Sequence, residues 1–216
     1  SHSETMQHWC LRLAWEGTAY VGWQAQPNGR SIQQVCEDAV QELLGGERVR
    51  LRAAGRTDAG VHALEQVVHL RCQTRREAGV LRSGLNALLP ADISCLSVES
   101  VPANFDPRSW TRRKTYRYRI LQRAVPCPFR RRFSWHRYQP LDLGQMKIGA
   151  KALEGRNDYS SFRAQGCGAA SPVRTIETVE IRDLGDEIHI EVTGEAFLRH
   201  QVRIMAGTLV DVGSGR

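Results

Sequence analysis

The spacing of apolar and polar positions changes period several times along the chain, and each change marks an element. Residues 10–15 read as a strand and 16–26 as the loop after it. Beyond Ser31 the apolar residues Ile32, Val35, Cys36, Ala39, Val40, Leu43 and Leu44 recur at helical intervals. Ser31 and Gln34 stand at capping-box spacing and Gly45 supplies a stop. Residues 49–53 alternate apolar and charged positions with period two, and a short β-branched strand covers 66–72. A helix over 76–89 and a strand over 93–101 complete the order β-α-β-β-α-β. That order predicts a ferredoxin-like arrangement with a largely antiparallel sheet.

Around residues 102–108 the chain changes character, which divides it into an N-terminal α/β half, 1–105, and a second half, 106–216. The second half opens with a strand over 114–120 whose alternation puts Tyr116, Tyr118 and Ile120 on one face and Arg117 and Arg119 on the other. A helix over 142–153, a loop over 157–163 and a hairpin turning at Gly185-Asp186 between 173–182 and 188–192 follow. The last helix is expected over 196–212, with Leu198, Val202, Met205 and Leu209 on its core face and Arg199 and Arg203 rotated away from it. The fold class is α/β of the α+β kind.

Composition narrows the class. At 216 residues, 41% hydrophobic and 25% charged, the chain can bury the core of one large or two small domains. No apolar run approaches the roughly 20 residues of a membrane span, and no basic segment followed by an apolar one opens the chain. Ser1-His2-Ser3, without an initiator Met, reads as a cloning remnant. Six cysteines without a C-x-x-C pair argue against a zinc ribbon or a disulfide framework and point to buried free thiols in a reducing cytoplasm. His62, His69, His136, His189 and His200 show no metal-ligand spacing, and His69, inside an apolar strand, reads as a core residue.

A net charge of +7 points to a polyanionic partner, and nearly all the positive charge is arginine, which binds phosphate bidentately and stacks on bases. From 107 to 141 there is no acidic residue, while Arg108, Arg112, Arg113, Arg130, Arg131 and Arg132 stand among Trp110, Tyr116, Phe129, Phe133 and Trp135. Basic groups among aromatics suit RNA, although a solvated face over core aromatics, or a genome that favours arginine, gives the same pattern. The octapeptide Gly55-Arg56-Thr57-Asp58-Ala59-Gly60-Val61-His62 places an arginine and a carboxylate two positions apart in a glycine-bounded loop at a strand end. By itself, Thr57-Asp58-Ala59-Gly60 also fits an Asx-type turn.

Taken in order, Tyr20-Val21-Gly22-Trp23-Gln24-Ala25-Gln26, the octapeptide, Asn86-Ala87-Leu88-Leu89-Pro90, Phe105 with Arg108, Lys114-Thr115-Tyr116-Arg117-Tyr118, Asp158-Tyr159-Ser160-Ser161-Phe162, Pro172-Val173-Arg174 and Phe197-Leu198-Arg199-His200-Gln201-Val202-Arg203 resemble the TruA-type tRNA pseudouridine synthases. The resemblance implies two α/β halves with mainly antiparallel sheets meeting in a basic, RNA-binding cleft. It also implies a cytoplasmic homodimer that acts on tRNA without a metal or cofactor and isomerises uridines at positions 38 to 40 of the anticodon stem-loop. In that family's terms Asp58 is the catalytic carboxylate, Arg203 its ion-pair partner, Tyr116 the tyrosine that stacks on the target uracil, and Arg56 the residue that fills the gap left by the flipped base. Arg108, Arg130, Arg131, Arg132 and Arg174 are the expected contacts to the RNA. Asp106-Pro107 stands where the family usually has His-Ala and Gln201 where Met is common. The family's pattern also runs on, past the position of Arg216, to an Ala-Pro…Gly-Leu motif and a closing strand. The same chemistry on another RNA, or a silent RNA-binding module on this fold, fits the basic aromatic stretch too.

Overall fold

The computed structural model describes residues 5–216, so Ser1-His2-Ser3 lies outside the described residues. The chain divides into two compact units, the first reaching to Arg112 and the second beginning at Arg113.

In the first unit, β1 (Gln7–Trp15), α1 (Ile32–Leu43), β2 (Arg52–Ala53), β3 (Ala63–Cys72), α2 (Ala78–Leu88), β4 (Ile93–Ser100) and the single turn α3 (Pro107–Trp110) follow one another. The sheet order is β2-β3-β1-β4 with neighbouring strands antiparallel, the split β-α-β arrangement expected from the element order. Alternate residues of β1, Trp9, Leu11, Leu13 and Trp15, are buried together with Val68 and Leu70 of β3 and Ile93 and Cys95 of β4. Helix α1 closes over this face through Ile32, Cys36, Ala39 and Val40. Its cap forms as the spacing predicts, Ser31 Oγ accepting from Gln34 N at 3.1 Å, but the Gln34 side chain turns forward to Asp38 and leaves the reciprocal half of the box unmade.

The strand expected over 49–53 shrinks to Arg52–Ala53. The reason lies in α1: Gln33 Nε2 donates to Leu51 O at 3.1 Å and Leu51 N donates to Glu37 Oε2 at 3.4 Å, so helix side chains rather than a neighbouring strand satisfy this backbone. His69 is buried, as its apolar strand suggested, and its Nε2 lies 3.0 Å from His8 Nδ1.

The second unit comprises β5 (Lys114–Gln122), β6 (Trp135–Arg137), α4 (Leu143–Ala152), β7 (Gly155–Asp158), β8 (Val173–Asp183), β9 (Glu187–Gly194) and α5 (Gln201–Gly213), with a short 3-10 turn at Ser160–Phe162. The sheet runs β6-β5-β9-β8-β7. Every pairing is antiparallel except that of β5 with β6, a parallel contact of Ile120, Leu121 and Gln122 with Trp135, His136 and Arg137. Its apolar face, Ile120, Ile176, Ile188, Ile190 and Val192, packs with Met146 of α4 and with Met205, Ala206 and Leu209 of α5.

The helix expected over 196–212 begins five residues later. His200 takes the left-handed conformation, φ 57 and ψ 13, and Leu198 N donates to the Gln201 side-chain oxygen at 2.8 Å. A turn therefore precedes α5, Leu198 enters the core from that turn, and of Arg199 and Arg203 only Arg203 is on the helix. Among the described residues no helix is long and apolar enough to cross a membrane.

Candidate active site

The octapeptide 55–62 links β2 to β3, and the segment that follows β1 holds it at several points. Trp23 N donates to Thr57 O at 3.2 Å, Gly60 N to Tyr20 O at 3.2 Å, and the Trp15 indole N–H to Val61 O at 3.1 Å. At the far end Gly17 N donates to His62 Nδ1 at 2.8 Å, while Gln66 Nε2 donates to Gly55 O at 2.6 Å. Within the loop Val61 N reaches Asp58 O at 3.2 Å and Gly60 has φ +79, so residues 58–61 form a turn whose third position favours glycine. The turn observed is thus a backbone turn over residues 58–61.

At Gly17 and Gly22 the approach is backbone to backbone and leaves no room for a side chain. A Cβ on Gly22, which has φ +106, would lie 2.4 Å from Thr57 O, and a Cβ on Gly17 would lie 2.1 Å from Val61 O. Behind the contact Trp15 and Trp23 stack with centroids 5.8 Å apart, and Tyr20, also buried, donates its hydroxyl to Asp92 Oδ1 at 2.6 Å. Asp58 and Arg56 thus sit on a loop whose frame is fixed, and both are exposed. A carboxylate held on a rigid backbone and open to solvent is suited to act as a base or nucleophile on a large substrate.

The other expected residues lie in the second unit, apart from Arg108, which is exposed on α3 of the first. Tyr116 of β5 is half-buried and meets Phe197 edge to face, centroids 5.0 Å apart. Phe197 belongs to the turn that leads into α5, and Arg203 is exposed on the first turn of that helix. Arg174 Nη1 donates to Ser171 O at 2.8 Å and to Val173 O at 2.7 Å, at the start of β8.

The basic stretch is less free than its sequence suggests. The polar face of β5 lies beside β9, where Arg117 pairs with Glu191 at 2.9 Å and Arg119 with Glu187. Arg113 reaches Glu177 at 3.1 Å. Arg130 is bound by Asp186 at 3.0 and 2.8 Å and by Glu187 at 3.2 Å. Glu187 is buried; the hydrogen bond from Arg119 draws its pKa down to about 2, with His189 and Arg130 adding to the effect and burial opposing it. Without RNA, Arg130, one of the expected RNA contacts, is held by two carboxylates. Arg131 and Arg132 are exposed, as is Phe129 beside them.

Sequence reasoning missed these carboxylates because no spacing within 107–141 reports what β9 places opposite. It also missed His62 and Gly17 as the clamp on the site loop. Among the described residues no group of three or more His, Cys, Asp or Glu is arranged to hold a metal ion. Four cysteines are buried, and burial pushes the Cys36 thiol up to about 12 and those of Cys72 and Cys95 to about 11.

A family model described as tRNA pseudouridine synthase matches residues 13–108 and 150–216, which include the Asp58 loop and α5. The chain is 47% identical over 206 residues to a tRNA pseudouridine synthase A of Pelobacter propionicus, covering 95% of this chain and 84% of that protein. To the protein of the same name from Myxococcus xanthus it is 47% identical over 207 residues, 95% of this chain and 78% of the relative. The one from Geobacter sulfurreducens is 46% identical over 206 residues, with 95% and 84% covered.

Proposed function

The chain belongs to the tRNA pseudouridine synthase family, and on that premise we propose that Asp58 is the carboxylate through which it isomerises uridine to pseudouridine in tRNA. The reaction breaks the N1–C1′ bond, turns the uracil, joins C5 to C1′, removes the C5 proton and protonates N1. It balances without any external reactant. It needs a carboxylate that acts at the ribose or the base, a surface that retains the detached uracil, and a proton acceptor for C5.

The observation that carries this reading is the clamped loop inside the family match, with Asp58 exposed on a backbone that cannot yield. Tyr116 and Arg203 complete the reading, the tyrosine against the uracil and as acceptor of the C5 proton, the arginine as the counter-ion that keeps Asp58 ionised. A paired uridine must leave its stack first, at a cost of a few kcal/mol, and Arg56 fills the space it vacates. The targets are uridines 38 to 40 of the anticodon stem-loop, and the acting species is a cytoplasmic homodimer.

The test is Asp58→Asn on a tRNA transcript, with pseudouridine mapped by chemical labelling. Product should vanish while RNA affinity stays within a few-fold, because phosphate contacts supply most of the binding energy. Turnover by this variant removes Asp58 from its role, label outside positions 38 to 40 changes the target, and a sedimentation mass of one chain excludes the dimer.

A further inference from the structure

We propose that His62 is a positioning residue for the Asp58 loop, acting through the lone pair of Nδ1 on the backbone N–H of Gly17. The inference rests on the assignment of Asp58 as the reacting carboxylate. Of the bonds by which the segment 15–23 holds the site loop, those at Thr57, Tyr20 and Val61 end on backbone carbonyls, which always accept. The bond at His62 ends on an imidazole nitrogen, which accepts only when it carries no proton. Gly17 N–H at 2.8 Å from Nδ1 therefore makes that nitrogen the acceptor of the bond.

Geometry makes this bond hard to replace. Gly17 is pressed so close to the loop that an added Cβ would meet Val61 O at 2.1 Å, so its N–H cannot turn to another partner without parting the two loops. Val61 is bonded at both ends, its carbonyl to Trp15 and its N–H to Asp58 O. The path from imidazole to catalytic carboxylate is one short turn of tied backbone. Beside Nδ1 lies the Glu16 carboxylate at 3.6 Å, itself held by the backbone N–H and hydroxyl of Thr18.

The experiment compares two His62 variants in single-turnover assays on one tRNA transcript, with RNA affinity and melting temperature measured for each. Asparagine puts Oδ1 where the imidazole has Nδ1 and keeps the acceptor; leucine has similar bulk and no acceptor. His62→Leu should slow the chemical step by 10- to 100-fold with affinity within a few-fold, as expected when a buried N–H loses its partner, and His62→Asn should return the rate to within a few-fold of the parent. If Leu and Asn slow the reaction equally, or neither slows it, the positioning role is wrong. Should His62→Leu fail to fold, His62→Gln replaces it, because a longer amide lacks the acceptor at the Nδ1 position. Asp58→Asn is run alongside: if that variant turns over, the site assignment fails, whereas an inactive Asp58→Asn with an unaffected His62→Leu overturns this inference alone.

Discussion

Arg130 and Asp186 lie 56 positions apart in sequence and face each other fork to fork, with nitrogen–oxygen distances of 3.0 and 2.8 Å. A guanidinium bonded in this way has little left to offer a phosphate. The same pair ties the turn that carries Phe129 to the hairpin between β8 and β9.

Removing arginines from this turn should therefore have unequal effects. Arg131→Ala with Arg132→Ala should flatten the dependence of log affinity on log salt by about 0.7 to 0.9 for each phosphate that is no longer neutralised. Arg130→Ala should leave the slope nearly unchanged and lower the melting temperature instead. Binding titrations between low and moderate salt, read with thermal melts, check both; an equal loss of slope in the two variants would return Arg130 to the RNA.

For Arg56 the prediction concerns substrate structure rather than affinity. Arg56→Ala should slow turnover of a uridine paired in a stem more than that of the same uridine opposite a mismatch, since extrusion costs least where pairing is already lost. Arg56→Lys should rescue only in part, a lysine being unable to stack. Single-turnover rates on two matched stem-loops decide this, and equal slowing on both would reduce Arg56 to a backbone contact.

Glycines in the site region should differ sharply in tolerance. Gly22→Ala should cost at least about 2 kcal/mol and most of the activity, because φ +106 disfavours a side chain and Thr57 O stands 2.4 Å from the new Cβ. Gly60 also has a positive φ, +79, but nothing lies within 4 Å of its Cβ position. Gly60→Asn should then cost no more than about 1 kcal/mol, asparagine being the side chain most at ease there. Denaturant melts measure the difference.

Acid should find the second unit through Glu187. Its folded pKa, down to about 2, lies below the ordinary carboxylate value of 4.5, so it stabilises the fold fully above about pH 4.5. That contribution is lost as pH falls from there towards 2. Glu187→Gln should reduce stability at neutral pH and flatten the acid limb between these values, as followed by chemical denaturation at each pH. A limb as steep as the parent's would mean that other carboxylates carry it.

How much of this is legible in the sequence depends on the range of the interaction concerned. Helix α1 declares itself because Ser31, the apolar spacing and Gly45 are local, and the octapeptide is legible as a motif. What holds the octapeptide is not, since Gly17 and Gly22 by backbone approach and Trp15 through its indole N–H act across more than thirty positions and leave no periodicity behind. The start of α5 differs from its periodicity because His200 adopts a positive φ that no residue type other than glycine signals clearly. The arginines of β5 look unopposed in sequence because Glu191 stands 74 positions from Arg117 and Glu187 68 from Arg119. Only the strand register brings them together.

The stacked indoles behind the Asp58 loop give the first unit an optical probe of its own. Trp15 and Trp23 are almost fully buried, and Trp15 is hydrogen-bonded to the loop itself, whereas Trp110 and Trp135 are 54% and 38% exposed. Iodide quenching of the exposed pair would leave emission from the interior, to which the buried Trp9 also contributes. Any ligand, substitution or proton that loosens the loop alters the polarity around the Trp15 ring. Motion of the loop that carries Asp58 can thus be followed in the unlabelled protein as a change in colour of the light it emits.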